Sequence, residues 1–120
     1  MTKTITIGGR PVSLRASART VWEYREIFGG DLVREMNHVT ADEFGFTGES
    51  YQTFERLAWL MARDGGEEMD TSLPEREQLP AWLETFDNIL AIHEASLEIS
   101  KFWRESATGT SVPKKNSARQ

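Results

Sequence analysis

Strict alternation of apolar and polar positions marks the first fifteen residues of the chain. Extended backbone would place one set of apolar side chains on a single face: Ile5, Ile7, Val12 and Leu14. Gly8 and Gly9 supply the positive φ angles that a two-residue hairpin turn requires. Because Pro11 cannot donate a ladder hydrogen bond, the second strand is expected at an edge. The pattern predicts an N-terminal β-hairpin whose apolar face needs a helical cover.

After Ser17 the apolar residues recur at intervals of three and four, which predicts helices. The first helix is predicted over residues 18–28, from Ser17 as N-cap to a stop at Gly29 and the glycine after it. A second, short helix has Asp31 as its cap and ends before Thr40.

Residues 40–50 show no sustained period and are predicted to form a loop, with a short helical turn near Asp42. Ser50 is a suitable cap for a third helix over residues 51–64. The acidic segment 65–77 has few apolar anchors, so we expect an exposed connection there.

The last helix is predicted to be the longest, over residues 81–106, with Pro80 in its first turn. Its apolar stripe is expected to face the core and consists of Trp82, Phe86, Ile89 or Leu90, His93 and Leu97. Each large apolar side chain gains roughly 1.5–3 kcal/mol on burial, so this face should hold the bundle together. The predicted fold class is α+β, mainly α: an N-terminal β-hairpin packed on a bundle of about four helices.

Charge divides the chain into an acidic body and a basic end. Residues 1–100 carry 9 Lys and Arg against 18 Asp and Glu, whereas residues 101–120 carry 5 against 1. The last 14 residues contain one branched apolar residue, Val112. Burial of so little apolar surface cannot offset the entropy cost of ordering the segment. We therefore predict a folded domain over residues 1–104 and a disordered basic tail over residues 105–120.

Composition argues against several functional classes. An acidic body repels a phosphate backbone, so no nucleic-acid partner is expected. The absence of cysteine excludes a disulfide framework and thiolate ligands, and makes a reducing cytoplasm the simplest compartment. The apolar runs are too short for a membrane span or a secretory signal, so no membrane partner is expected.

No sequence motif for catalysis or cofactor binding stands out. His38 and His93 lack neighbours at metal-ligand spacing, so His93 is interpreted as a structural histidine. Glu94, Glu98 and the acidic run around Glu68 are expected to be solvated, whereas general acid catalysis needs a desolvated carboxyl group. We expect a protein that is not an enzyme and has no catalytic, cofactor or metal site.

Aromatic residues give the strongest functional signal. The chain has 4 Trp, 6 Phe and 2 Tyr, and most of them must fill a small core. Trp82, Phe86, Phe102 and Trp103 lie towards the two ends of the predicted last helix, where burial in a small bundle is hardest. Because exposed aromatic residues are preferred anchors in protein interfaces, we interpret these four as candidate partner-binding residues.

The order of these elements resembles a known family. A glycine hairpin, TITIGGRPVSLRAS, is followed by TVWEYREIFGGDL and later by LAWLMARDG and WLETFDNI. Over about residues 3 to 100 the chain resembles the tail assembly chaperones of phages with long non-contractile tails. The most specific part of the resemblance consists of Tyr24, Arg25, Phe28, Gly29 and Asp31. Gly30 departs from the family pattern, in which a charged or polar residue is common at this position.

The resemblance implies a hairpin docked on a helical bundle and no enzymatic activity. It implies a tape measure protein as the partner, which the chaperone keeps soluble while it helps to recruit subunits of the major tail (tube) protein. Such a chaperone acts in the host cell cytoplasm and is usually absent from the mature virion. Self-association is a further expectation that the sequence leaves open.

Members of this family commonly make a second, longer product by a programmed −1 ribosomal slip near the 3′ end of the gene. Val112–Asn116 would fit such a site if Lys114 and Lys115 are both AAA and Asn116 is AAC, or if C CCA AAA spans Val112 to Lys114. An equally simple interpretation is that the two lysines solubilise the terminus. The nucleotide sequence distinguishes the two.

Two other functions compete with the chaperone. The first is a structural subunit retained in the virion, such as a head-to-tail connector protein. The second is a small hydrolase that uses the acidic cluster, which the solvated carboxylates disfavour.

Overall fold

The computed structural model describes residues 1–39, 41–42 and 45–108. The elements in chain order are β1 (Thr2–Ile7), β2 (Arg10–Arg15), α1 (Ala18–Phe28), α2 (Leu32–Asn37), β3 (Ala41–Asp42), β4 (Gly45–Phe46), α3 (Gly48–Asp64), α4 (Glu75–Leu83) and α5 (Ala91–Thr108). The predicted class, a hairpin on a mainly helical body, is confirmed. The predicted disorder of residues 109–120 and the proposed slip site at Val112–Asn116 lie outside the described residues.

The N-terminal hairpin forms as the alternation predicts. β1 and β2 pair antiparallel with Ile5 opposite Val12, and Gly8 and Gly9 turn the chain with φ angles of 59° and 83°. The four side chains predicted to share a face are all buried: Ile5, Ile7, Val12 and Leu14. β2 packs on α3 and β1 packs on α5, so helices cover the apolar face of the hairpin.

The caps of the first two helices also agree with the sequence. The Ser17 hydroxyl accepts a hydrogen bond from the backbone N–H of Arg19 at 3.2 Å, and α1 ends at Gly29, whose φ of 72° is left-handed. The Asp31 carboxylate accepts from the backbone N–H of Arg34 at 3.2 Å and starts α2. These contacts satisfy backbone groups that a helix end leaves unpaired.

α3 passes through the centre of the molecule and packs against every other helix and β2. It begins at Gly48, and its N-cap is Thr47 rather than the predicted Ser50. The Thr47 hydroxyl accepts from the backbone N–H of Ser50 at 3.3 Å, so Ser50 lies inside the first turn and is buried. The segment predicted as a loop before α3 contains the two short antiparallel strands β3 and β4.

The predicted single helix over residues 81–106 is two helices, α4 and α5, separated by residues 84–90. α4 begins within the predicted exposed connection, and Pro80 lies in its interior rather than in a first turn. The Thr85 hydroxyl donates to the carbonyl of Trp82 at 2.6 Å, and the Asn88 side chain accepts from the backbone N–H of Leu90 at 2.9 Å. These side chains compete with helical hydrogen bonds and explain the break.

α5 differs from the prediction in its end and in its buried face. It continues through Thr108, beyond the predicted domain boundary at residue 104. Its buried residues are Ala91, Ile92, Ala95, Ser96, Ile99 and Phe102. Part of the stripe predicted to face the core instead faces solvent, because Leu90 is 48% exposed and Leu97 is 65% exposed, whereas Trp82 and Phe86 are buried, as the stripe predicts. The buried face carries Ile92, Ile99 and Phe102 together with smaller residues, and α5 packs against α3 and β1.

Candidate functional site

Three large apolar side chains, two just before α5 and one within it, are exposed and are here called the α5 outer surface: Ile89, Leu90 and Leu97. Ile89 is 92% exposed and adjoins Leu90 in the chain. Leu90 and Leu97 are separated by two helical turns, about 10 Å along the axis, and lie on the same side. An unpartnered apolar surface of this kind is typical of a site that binds another protein.

A groove lies beside this surface, between α3, the 84–90 segment and the start of α5, with a volume of about 310 Å³. We call it the α3–α5 groove. Its apolar lining comprises Tyr51, Leu83, Phe86, Ile89, Ala91 and Ile92. The Tyr51 hydroxyl accepts from the backbone N–H of His93 at 2.9 Å, and the two rings stack with centroids 5.9 Å apart. This contact fixes α3 against the first turn of α5.

The opposite wall of the groove is held by the N-terminal hairpin. The Arg10 guanidinium lies 4.1 Å from the centre of the Phe86 ring and donates to the Glu67 carboxylate at 2.6 Å. Trp82 donates to the same carboxylate at 2.9 Å. Glu67, which the sequence suggested was fully solvated, is therefore a partly buried acceptor for two donors. The arrangement preorganises the groove before any partner binds.

The four predicted partner-binding aromatics mostly belong to the interior. Trp82 is 3% exposed, Phe86 is 9% exposed and Phe102 is fully buried, so the exposure expected of Trp82 and Phe102 at the helix ends is wrong. Trp103 is partly buried. That these residues contact a partner remains a prediction. Of the four, Phe86 lines the α3–α5 groove. The exposed residues that sequence reasoning assigned to the core are Ile89, Leu90 and Leu97.

The residues that carry the family resemblance have structural roles at the junction of α1 and α2. Tyr24 is buried and donates to the Glu35 carboxylate at 2.6 Å, and burial together with that carboxylate raises the pKa of Tyr24 to about 12. The Phe28 ring lies 5.2 Å from the Tyr24 ring and 5.8 Å from the Trp59 ring. Arg25 lies in the last turn of α1, and its carbonyl accepts from the N–H of Gly29; Gly29 and Asp31 cap the two helices on either side of the turn. The motif accounts for local folding rather than for a binding surface.

A second concavity, of about 640 Å³, lies between α1, α3 and α4 and is lined mainly by charged side chains. At its base Arg63 joins three elements, since it donates to Glu23 of α1 at 2.9 Å and to Glu75 of α4 at 2.7 Å. The Glu23 side chain is buried, and its Oε1 has no hydrogen-bond donor among the described residues. Arg63 therefore links α1, α3 and α4 through its two carboxylate partners.

Glu23 should make stability depend on pH. Burial and the neighbouring Asp64 carboxylate raise the pKa of Glu23 from 4.5 to about 7, and Arg63 and Arg19 oppose this only in part. The folded state therefore holds a proton that the unfolded state releases between these values. We expect the free energy of unfolding to fall by roughly 2 kcal/mol as the pH rises from 5 to 8.

Urea denaturation at several pH values checks this expectation. Glu23→Gln should flatten the decline, whereas Glu26→Gln, at an exposed neighbour on the same helix, should leave it unchanged. A decline of equal size in Glu23→Gln would show that another group is responsible.

A metal site would require several of the other titratable side chains to lie close together. Within residues 1–39, 41–42 and 45–108, no three His, Asp or Glu side chains are grouped so that they could hold a metal ion. The Nδ1–H of His38 donates to the carbonyl of Arg34 at 2.7 Å, and Glu94 and Glu98 are exposed. No helix in the described part of the chain combines the length and apolar character needed to cross a membrane.

Comparisons of the chain with models of protein families, with curated protein sequences and with solved structures each found no match.

Proposed function

We propose that this protein is a phage tail assembly chaperone that binds the tape measure protein, keeps it soluble and helps to recruit tail tube subunits. The observation that carries the proposal is the α5 outer surface beside a preformed groove, on a chain whose sequence resembles that family. A long helical protein with exposed apolar stripes needs temporary cover, and a groove edged by leucines provides it by helix-in-groove packing.

The size of the surface fits a transient complex. Ile89, Leu90 and Leu97 are a small set of anchors, and each contributes about 1–2 kcal/mol if a partner covers its remaining exposed area. Association also costs translational, rotational and side-chain freedom, so the net affinity stays modest. A chaperone has to release its client when tube subunits assemble, and modest affinity permits that release.

The proposal includes a place of action and a fate. The protein acts in the host cell cytoplasm and is absent from the mature virion, and it performs no covalent chemistry. Mass spectrometry of purified particles tests its fate. Stoichiometric retention in the particle would instead favour a structural subunit such as a head-to-tail connector.

Co-expression with the tape measure protein encoded nearby is the central test. The wild-type protein should raise the soluble fraction of the tape measure protein and be retained with it on affinity purification. Leu90→Glu/Leu97→Glu should lower the affinity by at least about tenfold, because it places two charges where apolar side chains are buried on binding.

A matched control separates this surface from a general effect of added charge. Trp22→Glu/Val33→Glu changes two side chains that are 50% and 46% exposed on α1 and α2, away from the groove. It should leave binding unchanged. If the wild-type protein fails to solubilise the tape measure protein, the proposed function is wrong. If both double variants lose binding equally, α5 is not the contact.

A further inference from the structure

The rim of the α3–α5 groove is mainly acidic, and the Arg10 guanidinium that lies over Phe86 is paired with Glu67. Five acidic residues surround the groove and the α5 outer surface: Glu55, Glu84, Asp87, Glu94 and Glu98. All except Glu55, which is half-buried, are exposed. From residue 77 to residue 100 the sequence contains 5 Asp and Glu and no Lys or Arg. The apolar surface is therefore framed by negative charge.

These carboxylates are largely left without cationic partners. Glu98 lies 4.0 Å from Lys101, at the limit of an ion pair, and Glu94 accepts from the neutral Asn88 amide at 2.8 Å. Among the described residues, no Lys or Arg forms an ion pair with Glu84 or Asp87. By contrast, Arg63 and Arg19 both lie within ion-pair distance of Glu23 in the other concavity. Negative potential thus remains available to a ligand at the groove.

We propose that the segment seated in the α3–α5 groove is an amphipathic helix whose apolar stripe is flanked by lysine or arginine residues. This inference rests on the proposed function for the choice of surface and adds the chemistry of the bound segment. Leu90 and Leu97 match an apolar stripe with a seven-residue repeat, and the groove next to them receives one large apolar side chain from the partner helix.

The salt dependence of binding should distinguish the apolar contacts from the attraction between charges. Apolar burial is insensitive to moderate salt, whereas the attraction between exposed charges is screened within about 8 Å at physiological ionic strength. Rim charges mainly raise the association rate and set which partners bind. The acidic frame therefore selects against helices with acidic flanks, and the leucines supply the contact itself.

Two synthetic peptides test the inference with the full-length chain. Each is about five helical turns long, with leucines in the same seven-residue repeat, and carries either lysine or glutamate on both sides of the stripe. Binding is measured by fluorescence anisotropy at low and high salt. The lysine peptide should bind at least about tenfold more tightly at low salt, and the difference should shrink several-fold at high salt.

Two pairs of substitutions test whether the acidic residues beside the α5 outer surface cause the preference for the lysine peptide. Glu94→Gln/Glu98→Gln should reduce the preference for the lysine peptide, while Glu26→Gln/Glu68→Gln removes the same charge elsewhere and should not. Leu90→Glu/Leu97→Glu should weaken binding of the lysine peptide even though it adds negative charge.

Three results would overturn the inference: equal binding of the two peptides, no binding of either, or equal effects of the two glutamine variants. Each can occur while the tape measure protein is still solubilised in co-expression. Failure of the inference is therefore distinguishable from failure of the proposed function.

Discussion

Phe102→Ala should lower the free energy of unfolding by about 3–5 kcal/mol, a large part of the stability of a domain of this size. Phe102 is fully buried near the end of α5 and belongs to the single core cluster that unites hairpin and helices. Removing its ring leaves a cavity between α5 and the rest of the core. The midpoint of urea denaturation, followed by circular dichroism, measures the loss.

Trp103→Ala is the matched control at the next position. Trp103 packs against the core but remains partly exposed, so we expect less than half the destabilisation. This variant should stay folded and can then be assayed for tape measure binding, which tests its predicted role as a contact. Equal destabilisation by the two substitutions would contradict the burial of α5 described above.

Gly65→Ala should destabilise the protein by about 3 kcal/mol. Gly65 ends α3 with φ of −86°, which any residue adopts, so the cause is steric rather than conformational. A methyl group there would lie 2.7 Å from the carbonyl carbon of Ser13 and closer still to its oxygen. Since Ser13 belongs to β2, the clash would push the hairpin away from α3.

Gly48→Ala provides the comparison. Gly48 is the first residue of α3, and a methyl group there meets no atom within 4 Å. Alanine is also the better helix former, so this variant should be neutral or more stable by up to about 1 kcal/mol. The two midpoints of thermal or urea unfolding are compared directly. Equal midpoints would mean that β2 does not lie against the end of α3.

Local chemistry made the first third of the chain predictable. The alternation of apolar and polar residues on both sides of Gly8 and Gly9 predicted which face of the hairpin is buried. Ser17 and Asp31 are helix caps, and their side chains accept hydrogen bonds from backbone N–H groups no more than three residues away. Interactions of such short range are encoded by adjacent residues. They need no knowledge of the tertiary structure.

The later helices depend on contacts between distant residues, which local spacing does not encode. The 84–90 break is stabilised partly by Arg10, whose side chain reaches Thr85 across 75 positions of the chain. α5 and the residues just before it carry apolar side chains on two sides, and periodicity alone did not decide which side is buried. Packing against α3 and β1 buries the side with Ile92, Ile99 and Phe102. Ile89, Leu90 and Leu97, which were predicted for the core, thus form the candidate binding surface.

The candidate site itself was only partly predictable. The sequence placed partner binding on the last helix, but it assigned the role to aromatics of which Trp82 and Phe102 are buried. Whether an aromatic residue at a helix end is buried depends on neighbours such as Glu67, which accepts the Trp82 N–H from another part of the chain. The sequence offers no marker for that pairing.

The Arg10 guanidinium lies over the Phe86 ring, so the groove forms only after both residues have been synthesised. Ile92 lines the groove, and Arg10 of β2, more than 80 positions earlier in the chain, supports it through Phe86. A nascent chain that has not yet released α5 from the ribosome has no groove to offer. Under the proposed function, competence to bind a client therefore arises only after the start of α5 has left the ribosome.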